Sequence, residues 1–388
     1  MTSAGMSLRT IYALQTEHEQ ITYGELVDRC VELRAKWLNS NASRVGVWVN
    51  NSIDSFVGIH ALNATGRSVA LFRGASLSQN AAYVSDSGVD HVLNQSTWTL
   101  DPVAQPLADD ESKPPWSSWG WEDTLFYIQS SGTTGGPKWL PLTTRQIHLS
   151  AFGSAIRLGH LPGDRWLNPL APGYMGWLAV LTRCALYGTT MRVCDYTHAT
   201  VSAHLDTGEY TQVSLVPSML SQLVESAAKS LRQVRTVLVG GGPTSDALLA
   251  RCRNQGVSAV ATWGMTEAAS QVATQHVGSE NNQGHVGPPM PFVDVAIQDG
   301  RFILSGPLLN EPLETRDVGS IDAHGRIHVY GRVDDMILSS GHKVSPNEVE
   351  ALLMRPTEIL GVCVFGIQHR TWGQLLCAVI VPSADTNS

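Results

Sequence analysis

Nine residues, Ser130 to Lys138 ("SSGTTGGPK"), combine three glycines, two serines, two threonines and a lysine. Glycine lets backbone approach a ligand closely, successive N–H groups form a nest for an anion, and hydroxyls and an ammonium add donors. A loop of this kind straight after a strand suits phosphate. The Walker pattern GxxxxGK[ST] is not met. Counted from Gly132, its second glycine falls at Pro137, and Lys138 is followed by Trp139. Three further groups carry chemistry-bearing side chains. "ATWGMTEAAS" (261–270) sets Trp263, Thr266 and Glu267 where a strand ends in a turn. "TRDVG" (315–319) sets Asp317 between short strands, and "YGRVDDMILSSGHKVSPNEVE" (330–350) carries Arg332, Asp334 and Asp335. Singly these read equally well as a core aromatic, a turn aspartate and surface charge. Their occurrence together, in this order, is what singles them out.

The elements that must position these residues alternate. "ITYGELVDRCVELRAKWLNS" reads as a helix: Thr22 and Glu25 have capping-box spacing, and Leu26, Cys30, Leu33 and Trp37 recur on one face. "RVGVWV" (44–49) and "SVALF" (68–72) read as strands around a helix over 52–66. "TLFYIQ" (124–129) is a strand running into the glycine-rich loop. "TQVSLVPSMLSQLVESA" and "VRTVLVGGGPTSDALLARC" each read as strand, turn, helix. This alternation predicts α/β layers around largely parallel sheets. The Trp-rich stretch 107–123 reads as a surface loop. From about residue 292 the pattern changes to short strands with glycine turns. A smaller unit follows Arg332, with a helix at "SPNEVEALLM" and strands at "GVCVFGI" and "LLCAVIVP". The expected division is 1–332 and 333–388.

The charge balance removes some classes. With 34 acidic against 26 basic residues the net charge is -8, which argues against a nucleic-acid partner. The six cysteines form no CxxC pair and no metal-ligand spacing, so reduced, mostly buried thiols are expected. No apolar run approaches the roughly 18 residues of a membrane span, and no signal-peptide core opens the chain. The expected location is the cytoplasm.

On its motifs, the chain resembles the adenylate-forming superfamily of acyl-CoA synthetases, peptide-synthetase adenylation domains and luciferases. "SSGTTGGPK" looks like the phosphate loop of that superfamily, "TWGMTE" its adenine-and-magnesium motif and "TRDVG…GRVDD" its ribose-and-hinge motif. "GHKVSPNEVE" and "GVCVFGIQHRTWGQLLCAVIVP" resemble the start of its mobile C-terminal subdomain. The resemblance implies a large multi-layer N-terminal adenylation domain with mostly parallel sheets, and a small, shortened α+β subdomain. It implies ATP, Mg²⁺ and CoA as cofactors: a small-molecule carboxylate attacks the α-phosphorus, and the CoA thiol then displaces AMP. Ser130, Ser131, Gly132, Thr133, Thr134, Gly135 and Gly136 would wrap the β- and γ-phosphates, with Lys138 neutralising the loop. Gly240, Gly241 and Gly242 would let adenine lie against backbone, with Trp263 stacking on it beside Gly264. Thr266 would reach the α-phosphate and Glu267 would hold Mg²⁺. Asp317 would accept from the ribose hydroxyls, Arg332 would pair with ribose or phosphate, and Asp334 would be the hinge.

"YTQVSLVPSMLSQLV", "LVGGGPTSDALL" and "GHVGPPMP" are most similar to the o-succinylbenzoate–CoA ligases of menaquinone synthesis. That acid has a second carboxylate, for which Arg183 and Ser270 are candidate partners. Two departures stand out. Gly173 falls near a position where the family usually has a gating aromatic or His, leaving Tyr174 or Trp177 to fill the acyl pocket. The family's C-terminal adenylation lysine has no counterpart, since Lys343, the one lysine after Arg332, comes too early. Three readings of that stay open: a naturally shortened enzyme, a separate chain supplying the lysine as a partner, or a gene fragment. Transfer to a carrier protein, or nucleotide binding without turnover, are the alternative functions.

Overall fold

The computed structural model describes residues 8–74, 81–103, 119–130, 138–279, 284–339, 342–354, 359–369 and 372–382. The chain forms two compact units, Met1–Leu215 with Met265–Ser270, and Val216–Gly264 with Gln271–Ser388.

In the first unit, β1 (Tyr12–Gln15) and β2 (Gln20–Thr22) lead into α1 (Tyr23–Lys36), followed by β3 (Arg44–Trp48), α2 (Ile53–Ala64) and β4 (Ser68–Phe72). After α3 (Ala81–Asp86) come β5 (His91–Asn94), β6 (Thr99–Pro102), β7 (Thr124–Ser130) and β8 (Lys138–Thr143). Next are α4 (Thr144–Leu158), β9 (Arg165–Asn168), α5 (Met175–Tyr187), β10 (Thr190–Val193), α6 (His198–Asp206) and β11 (Gln212–Leu215). One sheet runs β6-β5-β3-β4-β7-β8, with parallel pairing at its centre and antiparallel edges at β6 and β8. The other carries β2-β1-β10-β9-β11, parallel except for β2. Strand β4 reads as an unbroken apolar run because both faces are covered: Val69, Ala70, Leu71 and Phe72 are all fully buried.

Helix α1 begins as its sequence requires. Thr22 Oγ1 accepts from Glu25 N at 3.2 Å and Glu25 Oε2 accepts from Thr22 N at 2.8 Å, which satisfies donors at both ends of the first turn. Leu26, Leu33 and Trp37 are buried along one face. At the head of the helix, the buried Tyr23 hydroxyl lies 2.7 Å from Cys184 O and 2.8 Å from Thr189 O, beside the end of α5.

The second unit has α7 (Pro217–Ser226), α8 (Ala228–Leu231), β12 (Thr236–Val239), α9 (Asp246–Asn254), β13 (Ala259–Met265) and β14 (Ser270–Thr274). Strands β12 and β13 are parallel. An antiparallel sheet follows: β15 (Asp294–Gln298), β16 (Arg301–Ser305), β17 (Leu313–Ile321) and β18 (Ile327–Arg332). A second antiparallel sheet is built from β19 (Ile337–Ser339), β20 (His342–Val344), β21 (Ile359–His369) and β22 (Gly373–Pro382), with α10 (Pro346–Leu353) beside β21.

The expected α/β architecture is present, and from β15 onward the chain turns to antiparallel strands, of which β17, β21 and β22 are longer than the short strands expected there. One expectation needs correction. Asp317 does not lie between short strands: it sits inside the nine-residue β17. Beside it, Gly319 continues the strand at a register shift, where a Cβ would fall 1.9 Å from His328 O. Of the six free thiols, only Cys184, Cys194 and Cys252 are buried, while Cys363 is exposed. Burial pushes the Cys184 and Cys252 thiols up to about 12, so both stay protonated and unreactive at neutral pH. Most of the expected loop at 107–123 lies outside the described residues. Among the described residues no helix is long and apolar enough to cross a membrane.

Replacing Tyr23 with Phe leaves two buried carbonyls without this donor. The expected cost is about 1–3 kcal/mol, read from the urea midpoint of the first unit's unfolding. An unchanged midpoint would show that the hydroxyl contributes nothing net.

Candidate active site

In the first unit, β7 and β8 form an antiparallel hairpin in which Ser130 faces Lys138, and Ser130 Oγ lies 3.5 Å from Lys138 O. The glycine-rich loop therefore leads into a strand, whereas a Walker loop leads into a helix. Ser131, Gly132, Thr133, Thr134, Gly135 and Gly136 lie outside the described residues. Lys138 is exposed at the start of β8.

The Thr266–Glu267 stretch follows β13 as a short 3-10 turn, closed by Ala269 N donating to Thr266 O at 3.0 Å. Helix α4 holds this turn from the side. Gln146 Nε2 donates to Glu267 O at 3.2 Å, and Ser150 Oγ donates to Ala269 O at 2.7 Å. Neither residue was singled out from sequence. The Thr143–Gln146 spacing of a capping box after a β-rich run was the available signal. Glu267 is half-buried, and its carboxylate has no ion pair among the described residues. Mg²⁺ is ordinarily bound through one or two carboxylates together with substrate phosphates and water, so one such side chain fits it. Among the described residues no group of three or more His, Cys, Asp or Glu could hold a metal by itself.

Arg183 and Ser270 are brought together, with Arg183 Nη2 donating to Ser270 Oγ at 3.3 Å. The guanidinium is 1% exposed, lies 5.7 Å from the Trp166 ring centroid, and keeps Nε without a partner. Burial lowers its pKa below the ordinary value, opposed by nearby Tyr187 and Cys184. No carboxylate pairs with it among the described residues. Of the two aromatics after Gly173, Trp177 is buried and donates to Asn51 Oδ1 at 3.3 Å. Tyr174 is exposed, with the Arg73 guanidinium 4.3 Å from its ring centroid.

In the second unit, Trp263 Nε1 donates to Asp317 Oδ2 at 3.2 Å, and the indole packs against the buried Phe302 with ring centroids 4.8 Å apart. Asp317 and Arg332 are direct partners across β17 and β18. Three residues far apart in sequence are thus gathered around one sheet end, and Arg332 is only half-buried there. Asp334 follows in a short turn, where its carboxylate takes Arg316 Nη1 at 2.7 Å. The glycine run after β12 has a steric reason. A Cβ on Gly240 would meet Thr262 Cγ2 at 2.7 Å, and Gly241 has φ +78°. Gly242 and Gly264 are exposed.

Residues 7–303 match the AMP-binding enzyme family, and the chain belongs to it. The 2-succinylbenzoate–CoA ligase of Bacillus subtilis strain 168 is 27% identical over 95% of this chain and 85% of its own length. That of Geobacillus sp. strain WCH70 is 29% identical over 92% and 82%. Among solved structures, the Bacillus subtilis o-succinylbenzoate CoA synthetase with its acyl-adenylate intermediate matches at TM-score 0.82 and 25% identity, covering 96% of this chain and 86% of that one. ATP-bound MatB from Rhodopseudomonas palustris matches with TM-score 0.82 at 18% identity, over 97% and 87%, which bears on the fold alone.

A buried cation without a counter-ion is expensive, so an apolar side chain of similar volume should be tolerated there. Arg183→Met is expected to melt at or above the wild-type temperature in the absence of substrate. A clear fall in melting temperature would show that the guanidinium is needed by the fold itself.

Proposed function

We propose that this chain activates a carboxylic acid with ATP and passes the acyl group to CoA, and that its acid is o-succinylbenzoate. In the first step the acid's oxygen bonds to the α-phosphorus as the bond to pyrophosphate breaks. In the second the CoA sulfur bonds to the carbonyl carbon, AMP leaves, and the thiol proton passes to solvent. Negative charge must be met by fixed donors in the first step. Ser130, Lys138 and the loop between them are the proposed donors to the outer phosphates, and Thr266 to the α-phosphate. Mg²⁺ held by Glu267 would supply positive charge to the phosphate oxygens. Trp263 is assigned to the adenine, with Gly240 to Gly242 and Gly264 beside it, and Asp317 and Arg332 to the ribose.

The observation that carries the choice of acid is the buried Arg183 guanidinium, whose hydrogen-bond partner among the described residues is the Ser270 hydroxyl. An acid with one carboxylate to activate and a second to bind would supply the missing negative charge. The relatives named 2-succinylbenzoate–CoA ligase support the same choice. The reading divides the chain into 1–332 and 333–388, with Asp334 as the hinge, and puts the enzyme in the cytoplasm.

The deciding experiment is mass-spectrometric detection of acyl-AMP and acyl-CoA from purified protein, ATP, Mg²⁺, CoA and a panel of carboxylates. Formation of o-succinylbenzoyl-CoA is expected, and an ester from another acid alone would overturn the substrate. An ester formed only from supplied acyl-adenylate would locate the defect in adenylation and make a lysine-bearing second chain the partner to seek. Glu267→Gln is expected to abolish Mg²⁺-dependent turnover with the melting temperature unchanged; full activity would remove Glu267 from the site. Asp317→Ala should weaken ATP binding by about 1–3 kcal/mol in calorimetry, and an unaltered affinity would contradict the ribose assignment.

A further inference from the structure

The turn after β13 is held in an uncommon backbone conformation. Ala269 has φ +47° and Ser270 φ +112°, a region that residues with a Cβ avoid. Such a conformation persists only where surrounding groups over-determine it, and it concentrates at functional sites. Here three side chains bond the turn, and the two from α4 hold its backbone. Gln146 Nε2 takes Glu267 O, Ser150 Oγ takes Ala269 O, and Arg183 Nη2 takes Ser270 Oγ. The two from α4 are buried, at 4% and 7% exposure, so water does not compete for their bonds. Gln146 has a second attachment. Its Oε1 accepts from Thr143 N at 3.1 Å, at the junction where β8 passes into α4. One amide group thus joins the strand that starts at Lys138 to the backbone of Glu267.

We propose that Gln146 and Ser150 are positioning residues that hold the 266–270 turn in its strained form, and so aim the Glu267 carboxylate for Mg²⁺ bound with ATP. The inference rests on the reading of Glu267 as the metal ligand. Groups of this kind act on a ligand they do not touch, and removing one ordinarily costs about 10–100-fold in metal affinity.

Binding, independent of turnover, provides the test. ATP is titrated by calorimetry into the full chain, once with MgCl₂ and once with EDTA. Ser150→Ala deletes one hydroxyl. Gln146→Glu keeps the acceptor for Thr143 N but sets an oxygen against Glu267 O. Thr143→Ala removes a capping group of α4 while leaving the Gln146 amide to reach Glu267 O. For Ser150→Ala and Gln146→Glu, affinity measured with Mg²⁺ is expected to fall about tenfold, and that with EDTA to stay within about twofold. Thr143→Ala should lower the melting temperature and leave both affinities within about twofold. Should Gln146→Glu fail to fold, Ser150→Ala decides alone. Equal loss with and without metal would overturn the proposal, because it would mark a structural role only; so would no loss at all. Glu267→Gln serves as the reference. If it keeps the full benefit of Mg²⁺, the metal-ligand reading fails and the proposal falls with it. If it loses that benefit while Ser150→Ala keeps it, only the positioning role is overturned.

Discussion

The polar bonds that α4 and α5 make to the 266–270 turn answer one constraint: the chain must turn directly after β13 with no glycine at the sharpest point. Ala269 and Ser270 take left-handed backbone conformations there, and neither has the glycine that would make them easy. The surrounding bonds make up for it. Two side chains from α4 bond the Glu267 and Ala269 carbonyls and one from α5 bonds the Ser270 hydroxyl, so the helices serve as a brace as much as a cover for the sheets. The strands near these helices are not purely apolar: Asn168, Thr190, Gln212 and Ser214 are buried polar residues on β9, β10 and β11.

The second unit solves a positioning problem by register. Asp317 and Arg332 meet because β17 and β18 pair directly at that point, and the pairing then slips past Tyr330. Gly319 makes the slip possible, since any side chain there would run into the His328 carbonyl. Trp263 reaches the same sheet end from β13 and donates its indole N–H to Asp317. A one-residue change of register would turn these side chains to the opposite face.

Much of this was legible in the sequence where the signal is local. The Thr22–Glu25 cap, the helices after β11 and β12, and the hairpin strands of the last sixty residues all follow from spacing and turn chemistry over a few positions. The resemblance picked out Trp263, Glu267, Asp317 and Arg332, and Arg183 with Ser270, before any of them had a partner. What escaped depends on tertiary contact. The need for glycine at 319 has no local signal, because it comes from a carbonyl on the neighbouring strand. Gln146 reads as a helix cap, and its second bond goes to a residue more than a hundred positions later. Backbone strain at Ala269 and Ser270 has no composition to announce it.

Two of the bonds that tie the segment leaving β18 to the sheet differ in kind. Arg316 holds Asp334 through opposite charges on partly exposed side chains, whereas the Ser345 hydroxyl donates to the Tyr330 carbonyl and carries no net charge. Dissolved ions weaken the first over a screening length of about 10 Å at 0.1 M and leave the second untouched. Ionic strength therefore acts on this junction as a selective solvent: it loosens the tie at Asp334 while the start of α10 stays fastened.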